Sequence, residues 1–187
     1  MLAASNHLRF RPRLRPRRGF TLIEAALTTV IVGVAFVAIM QLFAACTQQN
    51  RVGQNMTTAM LLAGHIQETM AGLSFNDPAY ATTYFGPEPG QTSASYDDVD
   101  DFDGAAFSPP IDARRQPIVA QQQYTQMVTV QPVLAMQPSS NSDPTANAIP
   151  KATYTGCVRV TVRILYRTNP TDAPIEVYRT SWLRVDN

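Results

Sequence analysis

One carboxylate lies inside the most apolar stretch of this 187-residue chain. Glu24 follows the segment GFTLI, and the next charged residue along the chain is Arg51. In a bilayer, an acidic side chain at mid-helix depth costs roughly 2.5–3.5 kcal/mol. Near the amino end of a helix in water, the same carboxylate would stabilise the helix dipole by about 0.3–1 kcal/mol. The dipole alone does not explain the basic segment RRGF directly before it, so Glu24 is the first candidate functional residue.

A second group of candidates is an acidic cluster in the middle of the chain. Five carboxylates occur within seven residues, at Asp97, Asp98, Asp100, Asp101 and Asp103. Oxygen ligands suit Ca²⁺, and a candidate calcium site consists of Asp98, Asp100, Asp101 and Asp103. The spacing does not fit an EF-hand, because Val99 would be the first ligand if Gly104 were the sixth residue. A solvated acidic loop and a salt-bridge patch facing Arg159, Arg163 and Arg167 are the other two interpretations.

Few residues could support catalysis. His7 lies in the basic amino-terminal segment and His65 stands alone in a predicted helix, so a metal triad or a histidine relay lacks members. The chain contains no glycine-rich phosphate loop and no nucleophile elbow. We therefore expect a protein that is not an enzyme and that requires no cofactor, calcium being an optional ligand. Cys46 and Cys157 could form a disulfide outside the cytoplasm, but free thiols are favoured because two cysteines give no framework pattern.

The amino-terminal region has the charge pattern of a membrane anchor. Its first 19 residues contain six arginines and no acidic residue, which leaves nine basic and fourteen acidic residues in the rest of the chain. The apolar core from Ala25 to about Cys46 is long enough to cross a bilayer of about 30 Å. The positive-inside rule then keeps the arginines in the cytoplasm and places the carboxy-terminal part in the periplasm. The alternatives are a nucleic-acid-binding arm, which we do not expect, and a lipoprotein-like cleavage site in LFAAC before Cys46.

The remaining pattern predicts an α+β fold. A single helix is expected over 20–73, apolar on all sides in its first half and amphipathic in its second, where one stripe comprises Val52, Met56, Ala59, Ala63, Ile66, Met70 and Leu73. A small antiparallel sheet that packs on this second half is expected from three strands, 123–134, 153–168 and 174–185. In the third strand, Ile175, Val177, Leu183 and Val185 are predicted to share the apolar face. The predicted segments are a basic leader at 1–19, a transmembrane helix at 20–46, its amphipathic continuation at 47–73, an acidic Pro/Gly-rich loop region at 74–121 and the sheet at 122–187.

The segment RRGFTLIEAALTTVIVGV resembles the amino-terminal signature of type IV pilins and type II secretion pseudopilins. That signature is a basic leader, a glycine, a phenylalanine, three mostly apolar residues, a glutamate and an unbroken apolar helix. The resemblance implies that a prepilin peptidase cuts between Gly19 and Phe20 and methylates the new amine of Phe20. It implies that Glu24 pairs with the amino terminus of a neighbouring subunit during filament assembly. It also implies a pilin-like fold, and as partners other pilin or pseudopilin subunits, an inner-membrane assembly platform and, before assembly, membrane lipid.

The acidic segment carries a shorter resemblance. Residues 86–110 are similar to the DDVDDY-G stretch of minor pilin-like proteins of the mannose-sensitive haemagglutinin pilus, the D-protein type, with Phe102 where tyrosine is commoner. This similarity implies a minor filament component, and some pseudopilins hold calcium in a loop. The function expected is thus a structural subunit of a pilus or a secretion pseudopilus. The alternative is a membrane-anchored periplasmic module that binds a ligand or calcium and has no filament role.

Overall fold

The computed structural model describes residues 19–75, 85–134 and 156–186. All of the predicted basic leader (1–19) except Gly19, and parts of the predicted loops, lie outside these residues. By its internal contacts the chain divides into two compact units, Met1–Gln48 and Gln49–Asn187. One helix contributes residues to both units.

Helix α1 runs over Leu22–Ala71, which confirms the predicted helix to within two residues at each end. Its first turn is capped by Thr21, whose hydroxyl oxygen accepts a hydrogen bond of 3.3 Å from the backbone N–H of Glu24. At the other end, the Arg184 guanidinium donates to the carbonyl oxygens of Ala71 and Leu73 at 3.4 and 2.9 Å. These contacts satisfy backbone groups that have no partner within a helix.

In the first unit, α1 is a candidate membrane span. Its best 18-residue window has a mean hydropathy of 2.4, and none of that window is buried. Large apolar side chains are exposed along this stretch, among them Leu22 at 88%, Ile23 at 78% and Phe43 at 64%. Such a continuous apolar surface is compatible with a single-pass membrane protein.

The second unit contains a four-stranded antiparallel sheet in the order β1-β2-β3-β4. The strands are β1 (Ala106–Phe107), β2 (Tyr124–Pro132), β3 (Cys157–Tyr166) and β4 (Ile175–Val185). The three predicted strands are confirmed. The two-residue strand β1 was not predicted, because so short an element has no periodicity. The α+β architecture with a long helix and a small antiparallel sheet is thereby established.

One face of the sheet packs on the second half of α1. The buried helix residues Ala59, Leu62, Ala63, Ile66 and Met70 share a core with Val158, Val160, Val162 and Ile164 of β3. The predicted stripe is correct from Ala59 onward, but Val52 is 63% exposed and Met56 is 38% exposed. The sheet reaches only as far as Asn55, whose side chain accepts a hydrogen bond of 3.0 Å from the Tyr124 hydroxyl at the start of β2. Among the described residues of this unit, Val52 lies outside the core that the helix and the sheet share.

The predicted apolar face of β4 is wrong for three of its four residues and correct for Val177. Ile175, Leu183 and Val185 are 61%, 43% and 50% exposed, whereas Tyr178 and Trp182 pack against the core together with Val177. The cause is a register irregularity in which Ile164 pairs with Tyr178 and Leu165 with Glu176, leaving Val177 as an extra residue. A bulge of this kind changes which residues point to each face.

A buried glutamine of β2 connects α1 with the loop between β1 and β2. The Gln126 side chain, with no exposed surface, donates to the carbonyl oxygens of Leu62 and Ile111 at 2.8 and 3.0 Å. It accepts a hydrogen bond of 2.7 Å from the N–H of Ile111. Removing one partner from a buried hydrogen-bonded set costs about 1–3 kcal/mol.

Replacing Gln126 with leucine should therefore destabilise the Gln49–Asn187 unit by about 1–3 kcal/mol, since the Ile111 groups lose their partner. Urea unfolding of a fragment comprising this unit, which has its own core, measures the effect. The matched control is Gln116→Leu at an exposed position, where we expect a change below about 0.5 kcal/mol. Equal stability of the two variants would contradict this role of Gln126.

Candidate functional site

The predicted processing and assembly residues all lie at the start of α1. Gly19 and Phe20 are exposed and precede the helix, and Phe20 is 69% exposed. Glu24 is exposed in the first turn of α1. Within the described residues its carboxylate has no hydrogen bond or ion pair, while its backbone N–H and carbonyl bond to the Thr21 and Thr28 hydroxyls. A charged group thus stands without a partner on an otherwise apolar helix surface.

The second candidate site, the acidic segment, is folded against the sheet. Asp98, Asp100 and Asp101 have exposed fractions of only 2%, 7% and 1%, so the interpretation as a solvated loop is wrong for these three residues. A short 3-10 turn at Asp100–Phe102 brings them together. The partly buried Asp103 accepts a hydrogen bond of 2.9 Å from the N–H of Val130, which ties the segment to β2.

Backbone N–H groups donate hydrogen bonds to the buried carboxylates. The Asp100 carboxylate accepts from Gly86 at 2.8 Å, and the Asp101 carboxylate accepts from Asp97 at 2.9 Å. The Asp98 carboxyl group accepts from the N–H of Asp101 at 3.1 Å. These bonds fold the acidic segment back on itself, so its carboxylates act as local caps for the backbone.

The carboxyl groups also bond to one another. Burial, and then the nearby Asp100 charge, raise the pKa of Asp98 from 3.8 to about 8, and its side chain hydrogen-bonds that of Asp100. Burial likewise raises the pKa of Asp100. The pKa of Asp101 is raised by burial, against the opposing effect of hydrogen bonds from two backbone N–H groups and the Glu88 side chain. Two buried carboxyl groups can lie together when one of them keeps its proton, and the raised pKa of Asp98 favours that arrangement.

The proposed calcium site stays a prediction. Among the described residues, no group of three or more His, Cys, Asp or Glu side chains is arranged to hold a metal ion. Arg163, one of the three arginines of the predicted salt-bridge patch, pairs instead with Glu176 at 2.6 Å. The same glutamate binds Arg179 at 2.8 Å, and these contacts lower the pKa of Glu176, with the Arg179 hydrogen bond as the largest cause.

An arginine that the sequence analysis did not single out fixes the acidic segment in place. Arg115 donates through Nη1 to the carbonyl oxygens of Ser93, Ala94 and Tyr96, the last at 2.6 Å. Its guanidinium carbon lies 5.7 Å from the centre of the Phe102 ring. Arg115 adopts a φ of 63°, unusual for a residue with a side chain. Only the neighbouring turn-forming residues could have suggested such a conformation from sequence.

The two cysteines are not bonded to each other. Both are free thiols, Cys46 exposed and Cys157 buried, as favoured from the sequence. Burial raises the pKa of the Cys157 thiol, which makes it less reactive.

Comparisons of the chain with family models, curated proteins and solved structures found no match. Function is therefore inferred from the residues of this chain and from the surfaces that its fold leaves exposed.

The buried proton predicts a specific pH dependence. Because the pKa of Asp98 is higher in the folded chain than its ordinary value of 3.8, its stabilising contribution is complete below about pH 4 and is lost as the pH rises towards 8. One such proton contributes a slope of up to about 1.4 kcal/mol per pH unit. Thermal unfolding of the Gln49–Asn187 fragment between about pH 5 and about pH 8 should show this decline.

Asp98→Asn should reduce that decline, since an amide can still accept from Asp101 and donate to Asp100 without titrating, while Asp100 and Asp101 keep their own contributions. The variant should be more stable than the parent fragment at the upper end of the range. Asp97→Asn, at the exposed neighbouring position, serves as the control and should keep the slope of the parent. Parallel stability curves for the parent and Asp98→Asn fragments would refute a proton shared by Asp98 and Asp100.

Proposed function

We propose that the chain is a minor pilin or pseudopilin, a structural subunit of a type IV pilus-like filament or a type II secretion pseudopilus. The observation that carries this proposal is Glu24, an unpartnered carboxylate on the exposed apolar part of α1, four residues after Phe20 in the RRGF segment. The proposed subunit is anchored in the inner membrane before assembly. It has a cytoplasmic amino terminus and a periplasmic carboxy-terminal unit.

The apolar part of α1 supports a role in which the helix changes its surroundings. A permanent anchor requires apolar side chains facing lipid, and Leu22, Ile23 and Phe43 meet that requirement. A carboxylate gains nothing in such a setting and costs several kcal/mol if it stays charged. The cost is offset if a partner subunit brings a positive group to Glu24.

Cleavage between Gly19 and Phe20 would create that positive group. A prepilin peptidase would remove the arginine-rich leader and methylate the new amine of Phe20, which stays positively charged. In a helical stack of subunits, Glu24 of one copy would bind the Phe20 amine of its neighbour. A subunit out of register would leave two charges unpaired in an apolar environment, and such unpaired charges are strongly destabilising. The pair would thus select the correct register.

The folded acidic segment supports a structural role for the second unit. Its buried aspartates bind backbone N–H groups and one another, so they stabilise the loop around Phe102. A membrane-anchored ligand-binding module would leave Gly19, Phe20 and Glu24 without a role. The filament subunit explains these three residues together, with other pilin-like subunits, the prepilin peptidase and an assembly platform as its partners.

Glu24→Val tests the role of the carboxylate in assembly. The variant should enter the membrane and lose its leader normally, because valine makes α1 more apolar. Its amount in the sheared filament fraction should fall roughly tenfold or more, since a loss of only about 1.4 kcal/mol per contact gives a factor of ten. Immunoblots of membrane and filament fractions from cells that assemble the filament measure both quantities.

The matched control is Glu68→Val, which removes an exposed glutamate from the same helix outside its apolar part. We expect this variant in filaments at the parental level. Incorporation of Glu24→Val at that same level would overturn the pairing of Glu24 with a neighbouring subunit.

A further inference from the structure

A cavity opens at one end of the sheet, and its lining includes none of the candidate site residues. Its volume is about 440 Å³, and three separate segments line it: Ser108–Pro109 after β1, Gln122–Gln123 directly before β2, and Arg167–Pro170 after β3. This volume lies within the range of small-molecule sites, about 300–1,000 Å³. The cavity is large enough for a small polar group and part of the molecule to which that group is attached.

Backbone contacts hold the walls of the cavity in place. The N–H of Arg167 donates to the carbonyl oxygen of Gln123 at 2.9 Å. Directly beside this bond, Tyr124 and Tyr166 are paired across β2 and β3, with ring centres 5.0 Å apart. Asn169 closes the following turn by donating its side-chain amide to Asp172 at 2.8 Å. The lining therefore belongs to the folded sheet and its turns.

The residues that line the cavity carry positive charge only. Arg167 is partly buried in the lining, which includes no acidic residue. Among the described residues, the Arg167 guanidinium has no ion pair or side-chain hydrogen bond, in contrast to Arg163 and Arg179, which share Glu176. The lining also includes Ser108, Thr168 and two glutamines, whose side chains carry neutral hydroxyl and amide donors.

We propose that this cavity binds a phosphate group. A guanidinium offers a planar pair of N–H donors that fits phosphate oxygens, and the Ser108 hydroxyl and Gln122 amide can donate to the remaining oxygens. A phosphate presents more acceptor oxygens than a carboxylate does, which matches the several neutral donors of the lining. The group can come from a free phosphomonoester or from the headgroup of an anionic lipid.

The Tyr124 hydroxyl binds Asn55, so this end of the sheet lies beside the early residues of the unit's helical stretch. The lipid source rests on the proposed function, which anchors the chain in a membrane. A headgroup bound here would be a contact made before assembly, separate from the pairing proposed for Glu24.

The test uses the full-length protein in a neutral maltoside detergent. One arm titrates it with glycerol 1-phosphate, and the other uses mixed micelles containing phosphatidylglycerol or, for comparison, zwitterionic phosphatidylcholine. Isothermal calorimetry should show saturable binding, and Arg167→Gln should weaken it about tenfold or more. Arg114→Gln, an exposed arginine outside the cavity, should change it less than about twofold.

A second variant distinguishes a loss of binding from a folding defect. Gln122→Glu places a carboxylate on an exposed part of the lining and should weaken binding of either probe, whereas Gln116→Glu outside the cavity should not. Binding of glycerol 1-phosphate alone assigns the free source, and stronger binding of phosphatidylglycerol assigns the lipid. Absence of binding to both probes, or equal losses in the cavity variants and their controls, would overturn the proposal.

Discussion

The rest of this structure depends on a single helix whose two parts have different surfaces. Over Leu22–Ala71, α1 is apolar on all sides at first and amphipathic afterwards. Its second part is covered along one face by the sheet, while the candidate membrane span in its first part is covered by nothing among the described residues. Such a surface needs lipid or other apolar helices. The proposed function assigns both in succession, lipid before assembly and neighbouring subunits afterwards.

The second unit provides a fixed cover for the amphipathic part of α1. Gln126 links the helix at Leu62 to the sheet and to Ile111, and Arg184 binds the carbonyl groups at the helix end. The acidic segment contributes through a parallel bridge between Ser74 and Asp98, just beyond the helix. Its buried carboxyl groups accept hydrogen bonds from backbone N–H groups, and burial raises the pKa of Asp98. These hydrogen bonds stabilise the folded segment, whereas the Glu24 carboxylate has no partner among the described residues, and the proposed function assigns it one on a neighbouring subunit.

The fold was largely accessible from the sequence because its signals are periodic and long. The limits of α1 and of the three long strands follow from helical and alternating patterns. The exposed position of Val52, the core contact of Trp182 and the bulge at Val177 could not be predicted, since they depend on where the sheet ends and on strand register. Clustered aspartates suggested solvent or calcium, but burial of Asp98 depends on N–H groups that only the folded loop brings together. The roles proposed for Gly19, Phe20 and Glu24 come from the order of these residues along the chain, which is visible in the sequence alone.

The mature amino terminus tests the central claim most directly. The chain, with its leader, is expressed in cells that carry a prepilin peptidase, and the product purified from membranes is analysed by intact mass and amino-terminal sequencing. We expect a chain that begins at Phe20 and carries one methyl group on its amine. An intact leader, or a chain that begins at Cys46, would contradict the proposed filament subunit, because Glu24 would then have no neighbouring amine to bind.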